Sequence, residues 1–400
     1  MKKQNHNDFS HLLKKIAPMD VQSVTLENGF RIFALENNES STVTVQFWVK
    51  TGSIHEGDYL GSGLSHFLEH MIFNGSEKYP KNKISEICIA NGGKINAYTS
   101  LGETVYYIDI LAEAAETAID ILCDAVKSPL FPEDAFENEK NIILRERAMY
   151  SDNPSAFLTE KELLTAFEIH PIRHPIIGYK DKIAQVNRDM MKDYFEKRYS
   201  PERAFMLIAG KINAQKAIDA VSARMADWRR GLIIEPSLPP EPALNCLKTA
   251  NFAFKDPLAR IGFTFHVPSA THHDIPALDV LAMVLGQNYS SRLTVRLERE
   301  KQLAISTNTI IYSAYFQGIF NISAVCENNK LDDLKNEIIS ETLKITDSEP
   351  VTKDEINRSA MHIFTDYFRN MRSNEMKARL IGFSLVNHGI PDYSAVYLKH

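Results

Sequence analysis

Residues 64–73 read LSHFLEHMIF, and this stretch decides how the rest of the chain is understood. It is too poor in β-branched residues for a strand and is spaced like a helix. His66 and His70, four apart, share one helical face and can point two imidazoles at one ion. Glu69, three residues from His66, lies on the same side but offset, where it reaches a water beside that ion without taking a coordination position. Phe67, Leu68, Met71 and Ile72 take the remaining faces, so the spacing predicts a well-buried helix. Three titratable groups on one face of a buried helix need a partner, and a metal supplies it. Two core histidines and a capped glutamate would leave the same letters, so a third ligand decides. Downstream, PEDAFENEKNIILRERAMYSD (132–152) places Glu139 and Glu146 seven apart, two turns along one face. Glutamates on a charged helix are as a rule solvated, but Glu146 sits among Ile142, Ile143, Leu144 and Met149, a segment apolar enough to be packed. One carboxylate and two neutral imidazoles leave the site near +1, which suits a Lewis acid and favours zinc.

Around this helix the elements fall into a repeat. VTLENGFRIFALEN (24–37) carries Asn28-Gly29 between apolar runs, a hairpin signal. In TVTVQFWVKTG (42–52), Val43, Val45, Phe47 and Val49 alternate with Thr44, Gln46 and Trp48, which predicts a strand. KINAYTSLGETVYYIDIL (94–111) reads as two more strands. Residues 112–152 are helical, broken at Ser128–Pro132, and 189–210 read as a helix and a strand. A second series runs in the same order: strand ARIGFTFHV (259–267), helix ALDVLAMVLGQNYSSRLTVRLERE (277–300), two strands in STNTIIYSAYFQGIFNISAV (306–325), then helices. Between them RRGLIIEPSLPPEPALN (229–245), with Pro236, Pro239, Pro240 and Pro242, reads as a stiff extended linker. The expectation is an α+β protein of two related domains, 1–229 and 246–400 joined by the linker 230–245. Each is a mostly antiparallel sheet backed by helices, and together they enclose a cleft. The second series stops before any counterpart of the 189–210 helix and strand, so the second domain is expected to be cut short.

Composition narrows the functions. With 400 residues, 44% hydrophobic, 45 basic against 51 acidic and a net charge of −6, the chain has no basic excess for nucleic acid. No apolar run approaches the roughly 20 residues of a membrane span. Cys88, Cys123, Cys246 and Cys326 form no paired motif and read as buried thiols. MKKQNHNDFSHLLKKIAPMD lacks the apolar core of a secretory signal, so a cytoplasmic location is the default. Other histidines are decoys. His170 and His174 are broken up by Pro171 and Pro175; His272-His273-Asp274 reads as a helix cap; His55 and Glu56 read as loop residues without a ligand role.

The inverted motif H-x-x-E-H with a distant glutamate resembles the insulinase/pitrilysin family of zinc metallopeptidases, the inverzincins. GLSHFLEHMIFNGSEKYP (63–80), GGKINAYTSLGETVYYIDIL (92–111) and the Glu139–Glu146 stretch resemble that family's blocks in its order, and GQNYSSRLTVRLEREKQLA (286–304) a block of its second repeat. The resemblance implies the LuxS/peptidase-like metalloenzyme fold and hydrolysis of short or unfolded peptides. It implies Zn²⁺ held by His66, His70 and Glu146, Glu69 as general base, and Glu139 orienting a ligand histidine. It also implies that a substrate backbone adds to the sheet edge along Gly93, Asn96, Ala97 and Tyr98. One departure stands out. Where the family commonly has an Arg and, seven residues on, a Tyr, Arg299 is one residue out of step and Ile305 replaces the Tyr. A further C-terminal half or a partner subunit is therefore expected to complete the site. The rival reading is a non-catalytic or half-site subunit of the same fold, active on peptides only when paired.

Overall fold

The computed structural model of the chain describes residues 9–80, 82–231 and 238–399. The β1–β2 hairpin (Val21–Thr25, Arg31–Glu36) turns at Asn28-Gly29, where Gly29 takes φ +92° and the Asn28 side chain accepts from Phe30 N–H. β3 is Thr42–Val49, β4 Lys94–Thr99, β5 Thr104–Leu111 and β6 Ala204–Gly210; the six strands form one sheet in the order β1-β2-β6-β3-β5-β4. Only the β2–β6 pair is parallel. β7 (Leu258–Val267), β8 (Ser306–Tyr312) and β9 (Gly318–Glu327) form a second, antiparallel sheet in the order β7-β9-β8. That order repeats β3-β5-β4, so the repeat read from element order is present in the sheets.

The linker expectation falls partly on residues 232–237, which lie outside the described residues. Residues 238–257 carry no helix or strand. The helix expected over 277–300 is two pieces, Ile275–Leu285 and a π-helical stretch Thr294–Glu300, separated at Gly286. Asn288 holds the intervening turn, its side-chain oxygen accepting from Ser290 N–H. Three cysteines are buried as expected, and Cys246 is exposed. Among the described residues no helix is long and apolar enough to cross a membrane.

The alternation in β3 points to one buried face, but both faces are buried. Val43, Val45, Phe47 and Val49 join Phe67, Met71 and Leu122 in the main core. Thr44, Gln46 and Trp48 are equally buried, because the helix Asn374–Asn387 from the second half lies across that face. Its Ala378, Ile381 and Leu385 pack on Phe33, Trp48, Val105, Phe205 and Leu207. Trp48 Nε1–H donates to Gln46 Oε1 at 3.0 Å and Gln46 Nε2–H to Glu375 O at 3.2 Å, so Gln46 and Trp48 are satisfied inside the interface. The reverse contact also exists: the helix Pro154–Ala166 of the first half packs on β7. There the Asn321 side chain donates to Glu162 at 2.8 Å. Each of these helices is the third after its sheet's hairpin, so each half lends the same repeat element to the other half's sheet.

Candidate metal centre

The helix Leu64–Ile72 starts at Gly63, in left-handed backbone (φ +69°), and a Cβ there would stand 2.1 Å from the Ile177 carbonyl oxygen. A glycine start offers no side chain to the first N–H groups. Glu56 supplies the acceptor from seven residues upstream: its carboxylate accepts from Gly61 (3.1 Å), Gly63 (3.3 Å) and Ser65 (2.9 Å) N–H. Ser65 Oγ and Tyr194 OH are 2.7 Å apart and tie the same turn to the helix Arg188–Arg198. Phe67, Leu68, Met71 and Ile72 are fully buried as the spacing predicts. Phe67 stacks on Phe136 at 4.6 Å, which seats this helix against Glu133–Asp152 and brings Glu139 and Glu146 to the histidines.

His66 Nε2 lies 3.9 Å and His70 Nε2 3.8 Å from Glu146 Oε2, and the three ligand atoms are all within 4.8 Å of one another. These separations are too long for hydrogen bonds. They come close to the ~3.4 Å between tetrahedral ligands each about 2.1 Å from zinc, so the donor set fits that ion. His70 Nδ1–H donates to Glu139 Oε2 at 3.1 Å, leaving the Nε2 lone pair facing Glu146. Asn74 Nδ2–H donates to Glu139 Oε1 at 3.3 Å and to His70 O at 2.9 Å, bracing that carboxylate. Thr99 Oγ1–H, at the end of β4, donates to Glu69 Oε2 at 2.7 Å.

Burial and the neighbouring His70 push His66 down to about 3, so it is a neutral imidazole, the form a metal takes. For His70 burial works against the proton, but the Glu139 hydrogen bond and the charges of Glu69, Glu139 and Glu146 outweigh it and raise the value. Burial raises Glu69 above the usual carboxylate range, against the opposing Thr99 hydrogen bond. A carboxyl shifted upward is suited to taking and returning a proton near neutrality.

The Glu146 segment is less packed than its sequence suggests: Ile143 is buried, but Ile142 and Met149 are 38% and 73% exposed. Consecutive apolar residues on a helix point to different faces, and only the Phe136–Ile143 side meets the core. β4 is an edge strand, with Asn96 exposed. The Ala97 N–H donates to Asn96 Oδ1 at 2.9 Å. Ala97 packs toward the main core, whereas the Tyr98 ring lies on the opposite face, edge-on to Trp48 with Arg379 4.7 Å over it. Gly93 lies just before β4, close against Cys88.

His170 and His174 flank a 3-10 turn, away from any shared helical face. Asp274 takes the cap position of its helix without a side-chain capping bond, and with His272 and His273 it forms a surface cluster. Arg299 is exposed and lies 5.8 Å over the Tyr289 ring; Ile305 is exposed. Sequence reasoning read Glu56 only as a loop residue without a ligand role and passed over Asn74 and Thr99. A signal for Glu56 was present, since a helix starting at glycine needs an acceptor from elsewhere; Thr99 carried none.

Two family models match the chain: "Insulinase (Peptidase family M16)" over residues 32–180 and "Peptidase M16 inactive domain" over 185–362. The "Uncharacterized zinc protease YmxG" of Bacillus subtilis is 30% identical over 361 residues, covering 89% of this chain and 86% of that protein. The Arabidopsis thaliana "Probable mitochondrial-processing peptidase subunit beta, mitochondrial" is 26% identical over 404 residues, covering 96% of this chain and 73% of that protein. A crystal structure of a protease from Helicobacter pylori superposes with a TM-score of 0.90 at 25% identity, over 96% of this chain and 93% of the other.

Proposed function

The chain belongs to the insulinase (M16) family of peptidases, and from that premise we propose that it is a zinc-dependent endopeptidase acting on short or unfolded peptides. The observation that carries the reading is the convergence of His66, His70 and Glu146 on one point, beside a Glu69 held by Thr99. His66, His70 and Glu146 would hold the zinc. When bound, the ion lowers the pKa of a water and polarises the scissile carbonyl. Glu69 takes a proton from the attacking water as its oxygen bonds to the carbonyl carbon, then gives that proton to the amine nitrogen as the C–N bond breaks. Glu139 keeps His70 in one tautomer and orientation throughout. The open edge of β4, Gly93 to Tyr98, lays the peptide out as an added strand. An extended partner is required there, which supports short or unfolded substrates. In this reading residues 1–229 carry the chemistry and 246–400 form the repeat without a metal motif.

The test is Glu69→Gln. It should keep about one zinc per chain by metal analysis and reduce cleavage of a quenched peptide by at least about 10²-fold; unchanged turnover would remove Glu69 from the mechanism. A half-site reading also has support: Ile305 stands in the expected Tyr position, and a matched relative is named a subunit. It predicts that the zinc-loaded chain alone is inactive and gains turnover only with a partner.

A further inference from the structure

The turn between β8 and β9 belongs to the second half, yet it is seated in the first. Ala314 and Phe316 are buried against Ile54, Leu101 and Phe167. Between them Tyr315 reaches His55, with its hydroxyl 2.8 Å from Nε2 and the rings nearly parallel at 6.3 Å. Gly52 N–H donates to His55 Nδ1 at 3.1 Å, so Nδ1 is the acceptor and Nε2–H donates to the tyrosine oxygen. Burial and the nearby Arg198 and Arg203 push its pKa down to about 3, which keeps this imidazole neutral.

Tyr315 meets both supports of the candidate site. On one side, His55 adjoins Glu56, whose carboxylate anchors the first turn of the helix bearing His66 and His70. On the other, Tyr315 lies over the β4–β5 turn: a Cβ on Gly102 would be 2.9 Å from its ring. That turn begins right after Thr99, which holds Glu69. The two supports are also joined to each other, Ser53 N–H donating to Ser100 O at 3.2 Å and Ile54 N–H to Leu101 O at 3.1 Å. Tyr315 is itself braced, its backbone N–H donating to Asn387 Oδ1 at 2.8 Å, at the end of the helix that crosses the first sheet.

We propose that Tyr315 is a positioning residue through which the second half sets the relative placement of Glu69 and the His66–His70 helix, acting on His55 and the β4–β5 turn. The inference rests on the peptidase reading above. It gives the half without a metal motif a defined part in the reaction, distinct from supplying a group that touches substrate.

The test is Tyr315→Phe in the full chain, which keeps the ring and removes the hydroxyl. Expected are a kcat about tenfold lower, the scale of one hydrogen bond, a KM within twofold of wild type, unchanged zinc content and a melting temperature lowered by only a few degrees. The visible absorption of the cobalt(II)-substituted protein should shift as well, a readout independent of turnover. His55→Gln should give the same kcat loss, and the double variant should lose no more than either single one. Wild-type kcat and cobalt spectrum in Tyr315→Phe overturn the inference, as does a loss explained wholly by a lower fraction of folded protein, or full additivity with His55→Gln. A wild-type chain that binds no metal overturns the peptidase reading first, and this inference with it.

Discussion

His70 uses both ring nitrogens, Nδ1 toward Glu139 and Nε2 toward Glu146, and the first contact sets the availability of the second. Glu139→Gln should therefore weaken zinc binding by roughly 10–100-fold while leaving the three ligands in place, measured by competition with a chromogenic chelator. A different carboxyl reports on pH. Glu103 is buried at the β4–β5 turn near Ser100, Tyr98 and Tyr312, and burial pushes it up to about 7, against a hydrogen bond from Ser100. It holds its proton more tightly in the fold than in the unfolded chain. The stability this proton contributes is fully present below the ordinary carboxylate range and is lost as pH rises from there through about 7. Stability should fall by up to about 3 kcal/mol between pH 5 and pH 8, and urea titrations of Glu103→Gln should lack that part of the slope. The family resemblance already pointed to Glu139 as the partner of a ligand histidine, whereas Glu103 looks like an ordinary charged residue until the fold buries it.

The Leu64–Ile72 helix shows what one element can and cannot announce. Its apolar and metal-facing sides follow from a 3.6-residue period, and both were legible. Its start after Gly63 was legible as well, but the group that anchors that start was not singled out, because the acceptor for its first N–H groups is Glu56, across a glycine-rich loop. Gly63→Ala should be destabilising by at least about 2 kcal/mol, since it adds left-handed backbone strain to a clash with Ile177 O. Thermal unfolding measures it, and a change below 0.5 kcal/mol would show that the loop relaxes freely. β3 teaches a related lesson. Period-2 alternation correctly identified a strand but did not say what covers the face at Thr44, Gln46 and Trp48, which is a helix more than 300 residues later in the chain.

Across the whole molecule, the two halves exchange their third helices, so neither sheet is covered by its own half alone. Ile381 is fully buried between Asn374–Asn387 and the first sheet. Ile381→Ala should lower stability by about 2–5 kcal/mol. The chain's two tryptophans, Trp48 and Trp228, both lie in the first half, so fluorescence reads that half while circular dichroism reads all helices. A substitution in the second half should shift both denaturation curves together; a fluorescence curve left in place would mean the halves unfold independently. The sequence by itself determined what depends on neighbours a few residues apart: the Asn28-Gly29 hairpin, the strand and helix periods, the shared face of His66 and His70, and the repeated order of elements. Tertiary structure alone decided the insertion of β6 between β2 and β3, the crossing of the third helices, the Glu56 anchor, the Thr99 contact to Glu69 and the seat of Tyr315. The reason is physical. Periodicity is imposed by backbone geometry and is written locally, whereas contacts between distant segments are selected by which buried faces and polar groups remain unsatisfied once the sheets have formed.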